Sequence, residues 1–415
     1  MDGRFSRDEA IWQDVIVPWV LCLQAFQTAP RGMMMGRPLG TAEEVHMTGP
    51  AAPRLMRRVV VHADRIEIVT DAPVPSPRPG EALVRSVVTG VCGSDTHAAH
   101  GRHPFIPIPY HPGHEVVGVV EQVGPGVTGA EAGRRVTVEP DLPCWTCKMC
   151  ATGRQNLCEN LRFFGCGWEQ GGMADLFTVP ADRLHVLPDD LDDTTAALVE
   201  PLSTPVHAVR LGGDAFGCGL DGIRGRSAVV LGAGTIGLLV LAVLKARGAE
   251  TVVVTDVQAA KRDKAVSLGA DAAVDAAAGD VADQVRAALG QSADIVVDCV
   301  AIEPTMRQAV ALAGKGGTVV VVGVPAAEVT IPLAIVQDQQ IRIQGSATYL
   351  PEDYEESIRL LQAGAVRASD IVTAIRPLEQ VAEAFDLAAS GEHIKVLVSI
   401  GEPSVPAPSQ DRTAP

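Results

Sequence analysis

The chain reads as an α/β protein, a doubly wound parallel sheet joined to a β-rich domain. Two changes of rhythm predict this. From about Ser227, apolar strand-like runs alternate with Ala/Leu-rich helical stretches, at 227–231, 251–255, 272–274, 294–300, 318–323 and 341–345. Strands alternating with helices build a parallel sheet covered on both faces. Before that point, short Val-rich runs at 58–62, 82–88, 115–123 and 135–138 are separated by Pro/Gly turns, the pattern of a β-rich domain.

The organisation follows in order. Residues 1–55 form an extension expected to be poorly ordered. Its apolar stretch 15–26 is broken by Pro18 and Gln24, is too short to span a bilayer, and follows acidic rather than basic residues. Residues 56–204 form the β-rich domain, with a cysteine lobe at 144–158. The sheet domain is expected over 205–346. An amphipathic helix and two short strands over 347–400 are assigned back to the first domain. The Pro/Ser-rich tail 401–415 is expected to be disordered.

Composition narrows the partners. With 34 basic and 50 acidic residues the formal charge is −16, which repels nucleic acid and anionic membrane surfaces at long range. A phosphate ligand must then be held locally, by backbone amides at a helix N-terminus. Nine cysteines, an odd number with four crowded into 144–158, argue for metal and a reducing, cytoplasmic setting rather than a disulfide framework.

The first sheet strand runs into Gly232-Ala-Gly234-Thr-Ile-Gly237 and then a helix. Gly232 permits the tight turn, Gly234 lets backbone approach a pyrophosphate, and Gly237 lets helix and strand pack closely. Asp256 ends the next strand, 24 residues after Gly232. Its carboxylate would bind ribose hydroxyls and repel a 2′-phosphate, which selects NAD over NADP. Lys261 and Arg262 follow, either at the adenine end of the ligand or as a solvated helix start. A structural glycine turn without nucleotide is the competing reading.

Cys144-x2-Cys147-x2-Cys150-x7-Cys158 can wrap one Zn²⁺ in a closed tetrahedral site that stabilises a loop lacking its own core. An iron–sulfur cluster is the alternative. Cys22, Cys166, Cys218 and Cys299 fit no ligand pattern and read as ordinary thiols. A second constellation is spread wider: Cys92-Gly-Ser94-Asp95-Thr-His97, then Gly113-His114-Glu115-x2-Gly118, then Glu200-Pro-Leu-Ser. A catalytic zinc needs about three protein ligands and one open position. Cys92, His114 and either Glu115 or Glu200 would supply them. Asp95 is expected to brace the turn or a ligand. His100, His103 and His111 lie nearby without an assigned role.

From about Arg57 to Ile400 the chain resembles the medium-chain, zinc-containing alcohol and polyol dehydrogenases. Gly113-His114-Glu115-x2-Gly118-x5-Gly124-x2-Val127 matches their zinc signature, and the cysteine lobe and Gly232 fingerprint stand in the expected order. The resemblance implies a GroES-like catalytic domain, a Rossmann domain, two zinc ions per chain, NAD, and a homodimer or homotetramer paired through the last sheet strand. It further implies that Ile236, Val322, Gly323, Val324, Ser346, Ala347 and Thr348 line the NAD site. Ser94 would accept the alcohol's proton and His97 would pass it to solvent. A zinc polarises the alcohol oxygen in such a site, and the nicotinamide takes the hydride.

For substrate, Glu200-Pro-Leu-Ser resembles the sorbitol and butanediol branch. The tyrosine and arginine of sorbitol dehydrogenases are here Ala98 and Thr348, while Tyr349 is kept. Phe163, Phe164 and Trp168 are expected to narrow the cleft or to be core. A secondary alcohol, vicinal diol or polyol is therefore expected, with a small butanediol-like diol favoured over sorbitol itself. The alternatives are an L-threonine 3-dehydrogenase-like enzyme, a zinc-free reductase of the same fold, and a non-catalytic nucleotide-binding protein.

Overall fold

The computed structural model describes residues 54–101, 103 and 106–404. The extension 1–53 and the tail beyond 404 lie outside the described residues. All that follows belongs to one compact unit that begins near Pro53.

Six parallel strands form one sheet: β1 (Ser227–Leu231), β2 (Thr251–Asp256), β3 (Ala272–Asp275), β4 (Ala293–Asp298), β5 (Ala313–Val321) and β6 (Arg342–Gly345). Their order is β3-β2-β1-β4-β5-β6. The order reverses between β1 and β4, and such a crevice at the carboxyl ends is where open α/β sheets bind ligands. The strands β1, β2 and β4 are nearly continuous runs of buried Val, Ile and Ala, as expected where helices cover both faces. Gly232 sits at φ 93, and a Cβ on Gly237 would lie 1.8 Å from the Gly232 carbonyl oxygen, so both glycines are required where they stand.

The other sheet has seven strands, six of them on its main path, and holds Glu81–Val91, Val116–Val123 and Arg135–Val138 as antiparallel neighbours. Leu176–Pro180 also pairs with Glu81–Val91. The chain returns after β6 through the helix Pro351–Gln362, and Lys395–Ser399 then pairs with Glu81–Val91. The expected return of the C-terminal segment is thus seen in strand pairing. The helix Val381–Ala389 and the strand Ile66–Pro73 were not anticipated.

The two halves share a core. Val87, Val117, Leu198, Tyr354 and Leu397 pack in one buried cluster with Ala228, Val230 and Leu239. The expected boundary at 204/205 falls inside a single helix, Val199–Asp214. Pro201 stands in its first turn, where a missing N–H costs nothing. Pro205 lies inside the helix. At the other end, a Cβ on Gly212 would sit 3.2 Å from Ile295 on β4. The described start of the expected tail, 401–404, is held in place: the backbone N–H of Ser404 donates to Asp193 at 2.6 Å.

Candidate active site

Cys92 stands at the N-terminus of the short helix Gly93–Ala99. Asp95 reaches back to accept the Cys92 backbone N–H at 3.1 Å, and its other oxygen accepts the Tyr110 hydroxyl at 3.0 Å. Asp95 therefore braces the turn, as expected. On the same helix Ser94 is half-buried and His97, three residues on, is exposed. That spacing places them on one face, pointing from interior to solvent.

His114 and Glu115 precede the strand Val116–Val123 and are 3 % and 1 % exposed. Sulfur, ring nitrogen and carboxylate oxygen of Cys92, His114 and Glu115 lie within 4.8 Å of one another. Gly90 makes room, since a Cβ there would fall 1.7 Å from a Glu115 oxygen. Lys395 Nζ, itself buried, sits 2.6 Å from the Glu115 carboxylate and donates to the Val91 carbonyl at 3.2 Å. Burial alone would lower the Lys395 ammonium, but Glu115 and Cys92 together raise it above its ordinary value.

Glu200 enters from the first turn of Val199–Asp214. It does not join the 4.8 Å group; its Oε1 instead accepts the Tyr349 hydroxyl at 2.5 Å. Burial pushes the Glu200 carboxyl up to about 7, and the nearby Glu115 adds to the push. One buried ammonium thus faces two buried carboxylates and a thiol. This donor set of sulfur, imidazole and carboxylate suits a dication with borderline softness.

Several residues at this site escaped the sequence reading. Cys166 was read as an ordinary thiol, yet its sulfur lies 3.1 Å from His114 Nδ1, with Asp95 3.9 Å from the same nitrogen. Burial pushes the Cys166 thiol up to about 11. Lys395, a single cation in a Val/Ile-rich strand, was the one available signal for the Glu115 partner. Asp141 is fully buried, and burial pushes its carboxyl well above the usual range.

The aromatic expectations divide. The Phe163 ring lies edge-on to His114 at 5.6 Å, so it is at the site. Phe164 is fully buried against Phe177, and Trp168 packs against that same core under the Arg162 guanidinium. These two belong to the core rather than the cleft. Ala98 is likewise packed in a core with Val91, Tyr110 and Phe385, so it says little about the cleft.

In the lobe, the sulfurs of Cys144, Cys147, Cys150 and Cys158 lie within 4.8 Å of one another. Cys147 is 3.5 Å from Cys150 and 3.9 Å from Cys158. A tetrahedron with metal–sulfur bonds of ~2.3 Å has sulfur–sulfur edges of about 3.8 Å, so the spacing fits a zinc tetrathiolate. Hydrogen bonding, first from the Thr146 hydroxyl, brings the Cys144 thiol down to about 5, which favours the ligating thiolate.

The residues expected at a nucleotide site collect at the carboxyl ends of the parallel strands. Asp256 ends β2, with one oxygen accepting the Ala233 N–H and the other the Gln258 N–H, both at 2.8 Å. Gly234 caps the helix Thr235–Ala246, which carries half-buried Ile236. Val322, Gly323 and exposed Val324 follow β5, and Ser346, Ala347 and Thr348 follow β6. Lys261 and Arg262 both fall on the helix Ala259–Ser267; Arg262 is the one that touches Asp256, donating to its carbonyl at 2.8 Å.

This fold and site define a two-domain, metal-binding dehydrogenase. The family models agree. Residues 78–189 match the alcohol dehydrogenase GroES-like domain and residues 235–363 match zinc-binding dehydrogenase. The chain is 33% identical to D-xylulose reductase A of Aspergillus niger over 338 residues, 79% of this chain and 92% of that protein. A structure from Sinorhizobium meliloti 1021, described as a zinc-binding dehydrogenase bound to NADP, matches with TM-score 0.76 and 32% identity, covering 83% of this chain and 99% of that one. The 2R,3R-butanediol dehydrogenase of Bacillus subtilis matches with TM-score 0.75 and 28% identity over the same shares. The chain belongs to the zinc-containing medium-chain alcohol and polyol dehydrogenases and is an oxidoreductase.

Proposed function

We propose that this protein oxidises a secondary alcohol or a small vicinal diol to a ketone, with NAD as acceptor and two zinc ions per chain. The observation that carries the reading is the convergence of Cys92, His114 and Glu115 within 4.8 Å, beside Glu200. These three would hold the catalytic zinc, with Glu200 as the carboxylate in reserve. Cys144, Cys147, Cys150 and Cys158 would hold the structural zinc. Zinc there supplies polarisation of the alcohol oxygen, and NAD supplies the hydride acceptor.

The chain's own residues do the remainder. Ser94 Oγ takes the alcohol's proton, and His97 releases it at the surface. Lys395 orients the Glu115 carboxylate through a charge-assisted hydrogen bond, and the Tyr349 hydroxyl orients Glu200. Phe163 gives the cleft an apolar wall. Asp256, held at the glycine loop by the Ala233 amide, favours a free ribose over a 2′-phosphate.

The substrate reading draws support from the xylulose reductase and butanediol dehydrogenase relatives. It draws further support from Thr348, which lacks the charged donor that a long polyol's distal hydroxyls would use. The free outer edge of β6 suits pairing with a second copy, as a homodimer or half of a homotetramer. Reduced, metal-ready cysteines suit the cytoplasm. Among the described residues no helix is long and apolar enough to cross a membrane. Steady-state kinetics over 2,3-diols, sorbitol, threonine and ethanol test the proposal. The highest kcat/KM should fall to a 2,3-diol or simple secondary alcohol; a clear preference for sorbitol or ethanol would overturn the substrate assignment.

A further inference from the structure

Asn156 lies in the turn Gln155–Leu157, between the lobe cysteines Cys150 and Cys158, and is 6 % exposed. Its amide directs Nδ2 out of the lobe, to the Ala347 carbonyl at 3.0 Å and to His207 Nε2 at 3.5 Å. The amide nitrogen carries two N–H groups, one for each acceptor. On the far side, His207 Nδ1 lies 2.8 Å from an Asp353 oxygen, and the other Asp353 oxygen accepts from Arg210 at 2.7 Å. The Ala347 carbonyl can only accept, which fixes the Asn156 amide with its nitrogen pointing out of the lobe. Asn156 must therefore present its NH2 group to Ala347, and the same group meets His207.

Asp353 also accepts the Leu350 N–H at 2.9 Å. The segment between β6 and the following helix is thus held at Ala347 by the lobe and at Leu350 by Asp353. Between these anchors Thr348 adopts φ 46, a conformation that residues other than glycine seldom occupy without being held. In a trans peptide the carbonyl and the next N–H point in opposite directions. Turning the Ala347 carbonyl toward Asn156 therefore turns the Thr348 N–H away from the lobe.

We infer that the four-cysteine lobe, acting through Asn156, sets the position of segment 346–348 and with it the affinity for the dinucleotide. Asn156 is a positioning residue in this role. The inference rests on the proposed reading that this segment lines the NAD site. The lobe's order reaches Asn156 directly. Two residues on, the Cys158 sulfur accepts the Cys144 N–H at 3.2 Å and the Asn160 N–H at 3.3 Å, closing the turn that carries Asn156. A region whose visible task is to hold a metal thereby governs a second ligand at a different place.

The test uses full-length, zinc-loaded protein and follows NADH binding by fluorescence titration, with zinc content and Tm measured alongside. Asn156→Asp puts a carboxylate oxygen against the Ala347 carbonyl. It should weaken NADH binding by about tenfold, ~1.4 kcal/mol, raising KM for NAD more than it lowers kcat, with zinc content unchanged. Asn156→Ser, uncharged and too short to span the gap, is read the same way if the aspartate variant does not fold. A change in Kd below about threefold (~0.65 kcal/mol) in a folded variant, whatever its Tm, overturns the inference. If wild-type protein fails to bind NADH, it is the cofactor reading that falls; if Asp256→Gly weakens NADH while the Asn156 variants do not, the coupling alone falls.

Discussion

The four-cysteine lobe and the Cys92–His114–Glu115 cluster both gather ligating side chains, by opposite means. The lobe draws its four ligands from 15 consecutive residues, 144–158, most of them half-exposed and on short turns. Its order comes from the ligands themselves. The second cluster draws on residues 92, 114 and 115, with Glu200 and Lys395 beside it, brought from four separate stretches of chain and nearly all buried. There the scaffold holds the donors: Asp95 on Cys92, Cys166 beside His114, Lys395 on Glu115, Tyr349 on Glu200. Metal removal should therefore unravel the lobe and leave the cluster's frame standing.

Substitutions can break this contrast. Cys92→Ser should remove one of two zinc ions and bring turnover below detection, with little change in Tm. Full activity in that variant, or iron in place of zinc on elemental analysis, would sink the site assignment. Cys147→Ser should remove the other ion and lower Tm sharply, because the metal supplies the lobe's folding energy. An unchanged Tm would show that the lobe holds itself. Lys395→Met strips Glu115 of its buried partner, a loss worth about 3–5 kcal/mol when nothing replaces the cation. Zinc would be that replacement, so the loss measured by denaturant unfolding should be large in chelator-treated protein and smaller with zinc. Equal losses in both would separate Glu115 from the metal.

Smaller effects sharpen the picture. Asp256→Gly should narrow an NAD-over-NADP preference of about tenfold, ~1.4 kcal/mol. Better use of NADP by the wild type would refute the role given to Asp256. His97→Ala should slow turnover modestly, most on the acid side where solvent base is scarce, and a pH–rate profile superposable on the wild type would leave His97 as a surface residue. Acidification should also weaken zinc binding at the cluster. Burial works to lower the His114 imidazole, but Cys166 and Asp95 together hold it well above its usual value. Zinc must therefore displace a proton there, and competition with a chelator at two pH values reads that directly.

What the sequence revealed follows the same division. The lobe was legible because its spacing is local. The sheet was legible because β1, β2 and β4 are unbroken apolar runs bounded by glycine or charge. The strand Ile66–Pro73 was not, since it is mostly half-buried and carries no clean alternation. The helix Val199–Asp214 was hidden by two prolines, one of which merely opens it. Cys166 and Asn156 could not be found, because each matters only through a partner 52 or 191 residues away, and Lys395 stood out as a lone cation in an apolar strand without showing its partner 280 residues off. Such pairings arise from tertiary packing, which leaves no periodic trace along the chain.

That helix joins the halves in a particular way. Its 16 residues span about 24 Å, with Glu200 in the first turn near the Cys92–His114–Glu115 cluster and Gly212 lying on β4 and β5. It is a rod with one end in each chemistry. If the nucleotide half swings, Glu200 must swing with it or the rod must break, and the break is easiest near Pro205, where no N–H is available to close the helical ladder. A displacement of the sheet would thus be delivered, as motion of a single carboxylate, to the side of the Cys92–His114–Glu115 cluster.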